Sequence, residues 1–129
     1  MSMHASGTFE VQLPPQGEDK GEGATLGRRA IIKQFQGDLT GSSRGEMLSA
    51  GMDSGSAVYV AIECVTGTLQ GRPGSFVLVH HGVMTAEGQS LTITVAPGSG
   101  ARDLVGLAGQ MTIRIEDSRH FYALEYTLD

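Results

Sequence analysis

Three ionisable side chains, Glu46, Glu63 and His80, are the residues of this chain best suited to chemistry. Two carboxylates in a low-dielectric enclosure raise each other's pKa, and a neighbouring imidazolium lowers it. Coupling of that kind serves proton transfer. The same residues, with Arg44, Tyr59 or buried water, could instead form a satisfied polar network that does no more than hold strand register. A metal held by the three is conceivable, but no characteristic ligand spacing supports one, and neither a metal nor a cofactor is expected.

The element that must position them is a hairpin. Ala57–Val65 and Ser75–His81 are rich in β-branched and aromatic residues, and Gln70-Gly71-Arg72-Pro73 marks the bend between them. Side chains on a strand alternate faces, so Tyr59, Ala61, Glu63 and Val65 share one face, while Val58, Val60, Ile62 and Cys64 share the other. A turn centred on Gln70-Gly71 sets Glu63 opposite Leu78 and Ala61 opposite His80. Glu63 and His80 then become diagonal neighbours, roughly 5–8 Å apart at Cβ. Phe76, Leu78 and His80 join the Glu63 face. His80 and His81 point to opposite faces and cannot readily share an ion.

The rest of the chain reads as further strands. Residues 1–7 are expected to be disordered, and Thr8–Leu13 alternates as a first strand ended by Pro14-Pro15. Gln16–Leu26, rich in Gly, Glu, Asp and Lys, reads as a mobile loop. Arg28–Gly37 is a strand, and Leu39–Ala50 continues as a glycine-interrupted one able to coil as barrel strands do. If the loop after it is centred on Asp53-Ser54, Leu48 pairs with Tyr59, Glu46 with Ala61 and Arg44 with Glu63, all on the His80 face. Leu91–Val95, Met111–Glu116 and Phe121–Leu128 complete about eight strands, with a short helical turn at Ala101–Leu107. Gly41-Ser42-Ser43-Arg44-Gly45 matches the spacing of a nucleophile elbow, but that motif needs a helix after it, and here a strand follows.

Composition narrows the function classes. The length of 129 residues makes one domain, residues 8–129, the default. The net charge of −5 argues against a nucleic-acid backbone as partner. One cysteine, Cys64, excludes an internal disulfide and reads as a buried, inert thiol. The first residues lack a basic region followed by an apolar stretch, and no apolar run approaches the ~20 residues that a membrane helix needs, so a cytoplasmic protein without membrane contact is expected.

About eight strands with short links describe an antiparallel barrel or a sandwich. Many ionisable groups on one face favour a barrel, whose lumen can house polar groups and a small ligand. The opposite face, Val58, Val60, Ile62, Val77 and Val79, is then too apolar for water and should meet another copy of the chain. Periodicity alone leaves the converse open, with the apolar face inside and the Glu/His face outside.

The string Val60–Gly82, with its G-x-L-x-G-R-x-G-S-F segment, resembles a bacterial family known only as a domain of unknown function, whose fold is an allene oxide cyclase-like β-barrel. Phe35–Gly41 followed by Glu46, Pro97–Gly100 with Leu104–Gly109, and Tyr126-Thr127-Leu128 are similar to its pattern too. The resemblance spans roughly Thr8 to Leu128. It implies that Glu46, Glu63 and His80 occupy positions of matching residue type. It also implies that the positions of Ile62, Cys64 and Val79 are usually more polar, which favours the Glu/His face as the lumen. The family has no established activity, so the resemblance implies a fold and not a reaction.

The expected function is therefore binding of a small, partly apolar molecule in the lumen by Glu63, His80, Glu46, Tyr59, Phe76 and Arg44. The alternatives are a lyase or isomerase, with Glu63 or Glu46 as base and His80 as acid, and a structural module with a filled interior.

Overall fold

A computed structural model of the protein describes residues 2–128. It contains β1 (Met3–Gln12), β2 (Pro15–Lys20), β3 (Ala24–Gly37), β4 (Leu39–Met52), β5 (Ala57–Leu69), β6 (Arg72–Thr85), β7 (Gly88–Val95), β8 (Ala101–Arg102), β9 (Ala108–Glu116) and β10 (Arg119–Thr127). The strands pair antiparallel in the order β1-β10-β9-β7-β6-β5-β4-β3, and β1 pairs again with β3, so eight strands close a barrel. Strand β2 extends the sheet beside β3, and β8 lies against β6. Among the described residues there is no α-helix, and no helix long and apolar enough to cross a membrane.

The central hairpin has the expected register. Glu63 faces Leu78 and Ala61 faces His80 across β5 and β6. The two-residue turn explains why: Gln70 and Gly71 both take positive φ, 47° and 88°, the conformation that matches the right-handed twist of the flanking strands. Tyr59, Ala61, Glu63 and Val65 point into the barrel, while Ile62 and Val79 are 60% and 37% exposed on its outside.

One end of the barrel is plugged. Leu39, Val65, Leu69, Phe76, Leu124 and Tyr126 pack there, and the segment between β7 and β9 folds beneath them, burying Leu104 and Leu107. Tyr122 stitches this end together: its hydroxyl accepts from Leu39 N at 2.8 Å and lies 3.0 Å from Gln36 O, tying β10 to the β3–β4 turn. The other end is open.

Four local expectations are corrected. Residues from Met3 on are not disordered: they form the start of β1, because Met3–Phe9 finds backbone partners on β10 and Gly7–Gln12 finds them on β3. The Asp38 carboxylate also accepts from Ser6 N at 3.0 Å. The stretch 16–26 is not a loop throughout, since Pro15–Lys20 pairs with the extension of β3. The helical turn at Ala101–Leu107 is a set of tight turns, with Leu104 N bonded to Ala101 O and Leu107 N to Leu104 O, and Arg102 sits at φ 58°, outside the helical region. Cys64 is exposed, not buried, because it shares the outer face with Ile62.

The fifth correction decides the site. In the β4–β5 pair Ser49 faces Tyr59, Met47 faces Ala61 and Gly45 faces Glu63, one residue away from the expected register. The loop between paired Gly51 and Ala57 holds an odd number of residues, closed by Met52 N to Ser56 O and Gly55 N to Met52 O. A slip of one residue exchanges the faces of a strand. Arg44, Glu46 and Leu48 consequently point outwards, and Ser43, Gly45 and Met47 point inwards.

Candidate functional site

Glu63 lies at the middle of β5 on the lumen side and is completely buried. Three donors converge on it. Lys33 Nζ donates to Oε2 at 2.8 Å, Ser43 Oγ donates to Oε1 at 2.7 Å, and His80 Nε2 is 2.5 Å from Oε2. Lys33, on β3, reaches across the inner face of β4, where Gly45 leaves room: a Cβ there would lie 2.8 Å from Glu63 Cβ. The Lys33 ammonium also lies 4.9 Å from the Phe9 ring centroid, within range of a cation–π contact.

The electrostatics follow from this count. Burial pushes the Glu63 carboxyl pKa upwards, but the hydrogen bonds from His80, Lys33 and Ser43 and the charge on Lys33 outweigh it, so the carboxyl is held down at about 2. Glu63 is therefore a carboxylate at neutral pH, an acceptor only. Burial, and then the charge on Glu63, raise the Tyr59 phenol above its ordinary value of 10, so Tyr59 keeps its proton.

A carboxylate cannot donate, so the hydrogen between Glu63 and His80 belongs to His80 Nε2. In a ring that carries one proton this fixes the tautomer, with Nδ1 as an acceptor. His80 Nδ1 has no protein partner among the described residues and is not a sealed, unsatisfied atom. It opens onto a cavity of about 220 Å³ at the unplugged end of the barrel. Ile31, Tyr59, Ala61, Leu91 and Ile113 are among the mainly apolar residues of its wall, and His80, Lys33 and His120 also line it. A larger groove of about 570 Å³, lined by Glu10, Gln12, Gln34 and Gln36, runs along the outside of β1 and β3 and does not reach Glu63.

The expected site residues thus divide. Glu63, His80, Tyr59 and Phe76 face the interior, but Phe76 belongs to the plugged end. Glu46 and Arg44 do not join them. Glu46 is on the outer surface, 3.6 Å from Arg28, and Arg44 faces outwards beside it. The expected second carboxylate is replaced by an ammonium, so the centre is a buried ion pair and not an acid pair. Lys33 and Ser43 escaped the sequence reading. Lys33 carried a signal, since it alternates with Ile31 and Phe35 and so puts a cation on a core face. Ser43 lay inside the dismissed G-x-S-x-G string, where it serves as a hydrogen-bond donor from a plain strand.

The fold and the site define a class: a closed, eight-stranded antiparallel barrel plugged at one end, with a buried Lys–Glu–His–Ser network beneath an apolar mouth. The profile of a protein family of unknown function, DUF3224, matches residues 5–126, and the chain belongs to that family. It is similar over its whole length to the crystal structure of a DUF3224 protein of unknown function from Shewanella oneidensis MR-1. The two share 45% sequence identity with a TM-score of 0.93, over 100% of this chain and 99% of that one. No curated protein matches the sequence.

Proposed function

We propose that the barrel binds a small, partly apolar molecule in its open mouth, against His80. The observation that carries this reading is the cavity itself. It is walled mainly by apolar side chains, yet it is also lined by the ring of a histidine that is only 4% exposed and anchored by Glu63. Concave, mostly apolar sites with a few fixed polar groups are how proteins bind small molecules. Glu63 plays a different part from the one its sequence position implied. Both its oxygens are engaged by protein donors, so it orients His80 and does not touch the ligand. An allene oxide cyclase-like reaction finds no separate support: the lyase or isomerase reading needs a free carboxylate base in the lumen, and Glu63 is occupied while Glu46 is outside.

Native mass spectrometry of gently purified protein, with and without added benzene, tests the reading. Bound mass is expected in the wild type and not in Ala61→Phe, which fills the cavity. Protein that takes up neither a co-purified molecule nor benzene would sink it.

We also infer that the outer face of β4, β5 and β6 meets a second copy of the chain. Leu48, Val60 and Ile62, at 54%, 49% and 60% exposure, lie on adjacent strands beside Val58, Val77 and Val79. Arg44 and Glu46 lie on the same face, so a two-fold pairing can set unlike charges against each other. A cytoplasmic location fits a chain with a single, exposed thiol.

A further inference from the structure

We propose, resting on the binding reading above, that the ligand is about one ring in size and carries a hydroxyl group that donates a hydrogen bond to His80 Nδ1. Two independent features set these limits.

The first is volume. An apolar cavity of ~150 Å³ accepts benzene. The mouth cavity, at about 220 Å³, therefore encloses one ring and a few further atoms, and a long acyl chain or a nucleotide would extend out of the mouth. Most of its lining is apolar, Ile31, Ala61, Leu91 and Ile113 among it, with Lys33, Tyr59 and His120 as the polar groups beside His80.

The second is directional. The Glu63 carboxylate takes the Nε2 hydrogen, so a ring that carries one proton offers the cavity a lone pair and no N–H. Around that lone pair the groups are fixed. Lys33 Nζ is turned to Glu63 Oε2 at 2.8 Å, and Ser43 Oγ is turned to Oε1 at 2.7 Å. A ligand whose only polar atom is an acceptor would leave Nδ1 desolvated and unpaired, which a binding site penalises more than it rewards the matched bond. A monocyclic phenol or a short alcohol with an apolar body meets both limits.

The test compares phenol with toluene and anisole, three probes of similar size of which only phenol donates. Binding is followed by NMR shifts of the methyl groups of Ile31, Leu91 and Ile113, together with the ¹⁵N signals of His80. Phenol is expected to bind about tenfold more tightly than either of the others, and to move His80 Nδ1 while Nε2 remains the protonated nitrogen. Equal affinities for phenol and toluene would overturn the hydroxyl assignment and leave the binding reading standing. Anisole binding as tightly as phenol would overturn it as well, by showing that a donor, at Nδ1, Tyr59 or Lys33, meets the ligand. If none of the three moves the cavity methyls, both readings fall. His80→Phe is the confirming variant: it should retain toluene and lose the preference for phenol, and a preference that survives would remove His80 from the site. Because the selectivity and the ¹⁵N signature are read in the wild type, the inference does not depend on that variant folding.

Discussion

Lys33 Nζ lies 2.8 Å from Glu63 Oε2, and both side chains are shut away from water, at 6% and 0% exposure. The pair joins β3 to β5 across β4, so it spans the barrel wall where two strands must keep one register. Removing either partner alone leaves the other charge buried without its counter-ion, a loss of ~3–5 kcal/mol. Glu63→Gln and Lys33→Met should each fall in that range in urea unfolding. The double variant Lys33→Met/Glu63→Leu should lose much less than their sum, because no charge is then stranded. Additive losses would show that the pair is not coupled.

Acid should loosen the fold through the same residue. Burial works to raise the Glu63 carboxyl pKa, but His80, Lys33 and Ser43 bring it down from 4.5 to about 2 in the folded protein. A depressed native value means that the folded state prefers the ionised form. The stability it contributes is complete above pH 4.5 and is lost as the pH falls toward 2, in total on the order of 3 kcal/mol. The unfolding free energy of the wild type should therefore drop through this window by about that much more than that of Glu63→Gln. Parallel curves for the two proteins would refute the linkage.

Two glycines are required for close approach, but to different degrees. A Cβ on Gly45 would lie 2.0 Å from the carbonyl oxygen of Ile62, a backbone atom of the paired strand. A Cβ on Gly82 would lie 2.2 Å from the Tyr59 ring, which packs flat across the glycine facing it on β6. A ring can swing and a strand cannot. Gly82→Ala should cost about 1–2 kcal/mol, and Gly45→Ala should cost more, ~3 kcal/mol or above, and shift the Glu63 network. The reverse order, measured by thermal unfolding, would contradict this packing.

The outer apolar face yields a prediction about mass. Ile62→Lys places a charge at the centre of the valine surface without entering the core, since Ile62 is 60% exposed. Sedimentation should show an oligomeric wild type and a monomeric variant of nearly unchanged folding stability. A wild type already monomeric at high concentration would end the self-association reading.

Much of this architecture was legible in the order of residues. Alternation in Ala57–Leu69 and Arg72–Thr85, with a two-residue turn at Gln70-Gly71, determined the central hairpin and put Glu63 and His80 on one face, because such a turn leaves a single register. The same locality made Phe121–Leu128 and Met111–Glu116 readable as strands. Only tertiary structure decided what met Glu63. Lys33 and Ser43 arrive from β3 and β4 through ladders whose register hangs on an odd-numbered loop, and one residue of parity sent Ser43 inwards and Glu46 outwards. The strand at Met3–Gln12 exists because β10 and β3 flank it, pairings that no local propensity encodes. Local sequence specifies which side chains share a face. Which face is enclosed, and which distant charge completes it, depends on barrel closure, where the free energy comes from contacts between residues far apart in the chain.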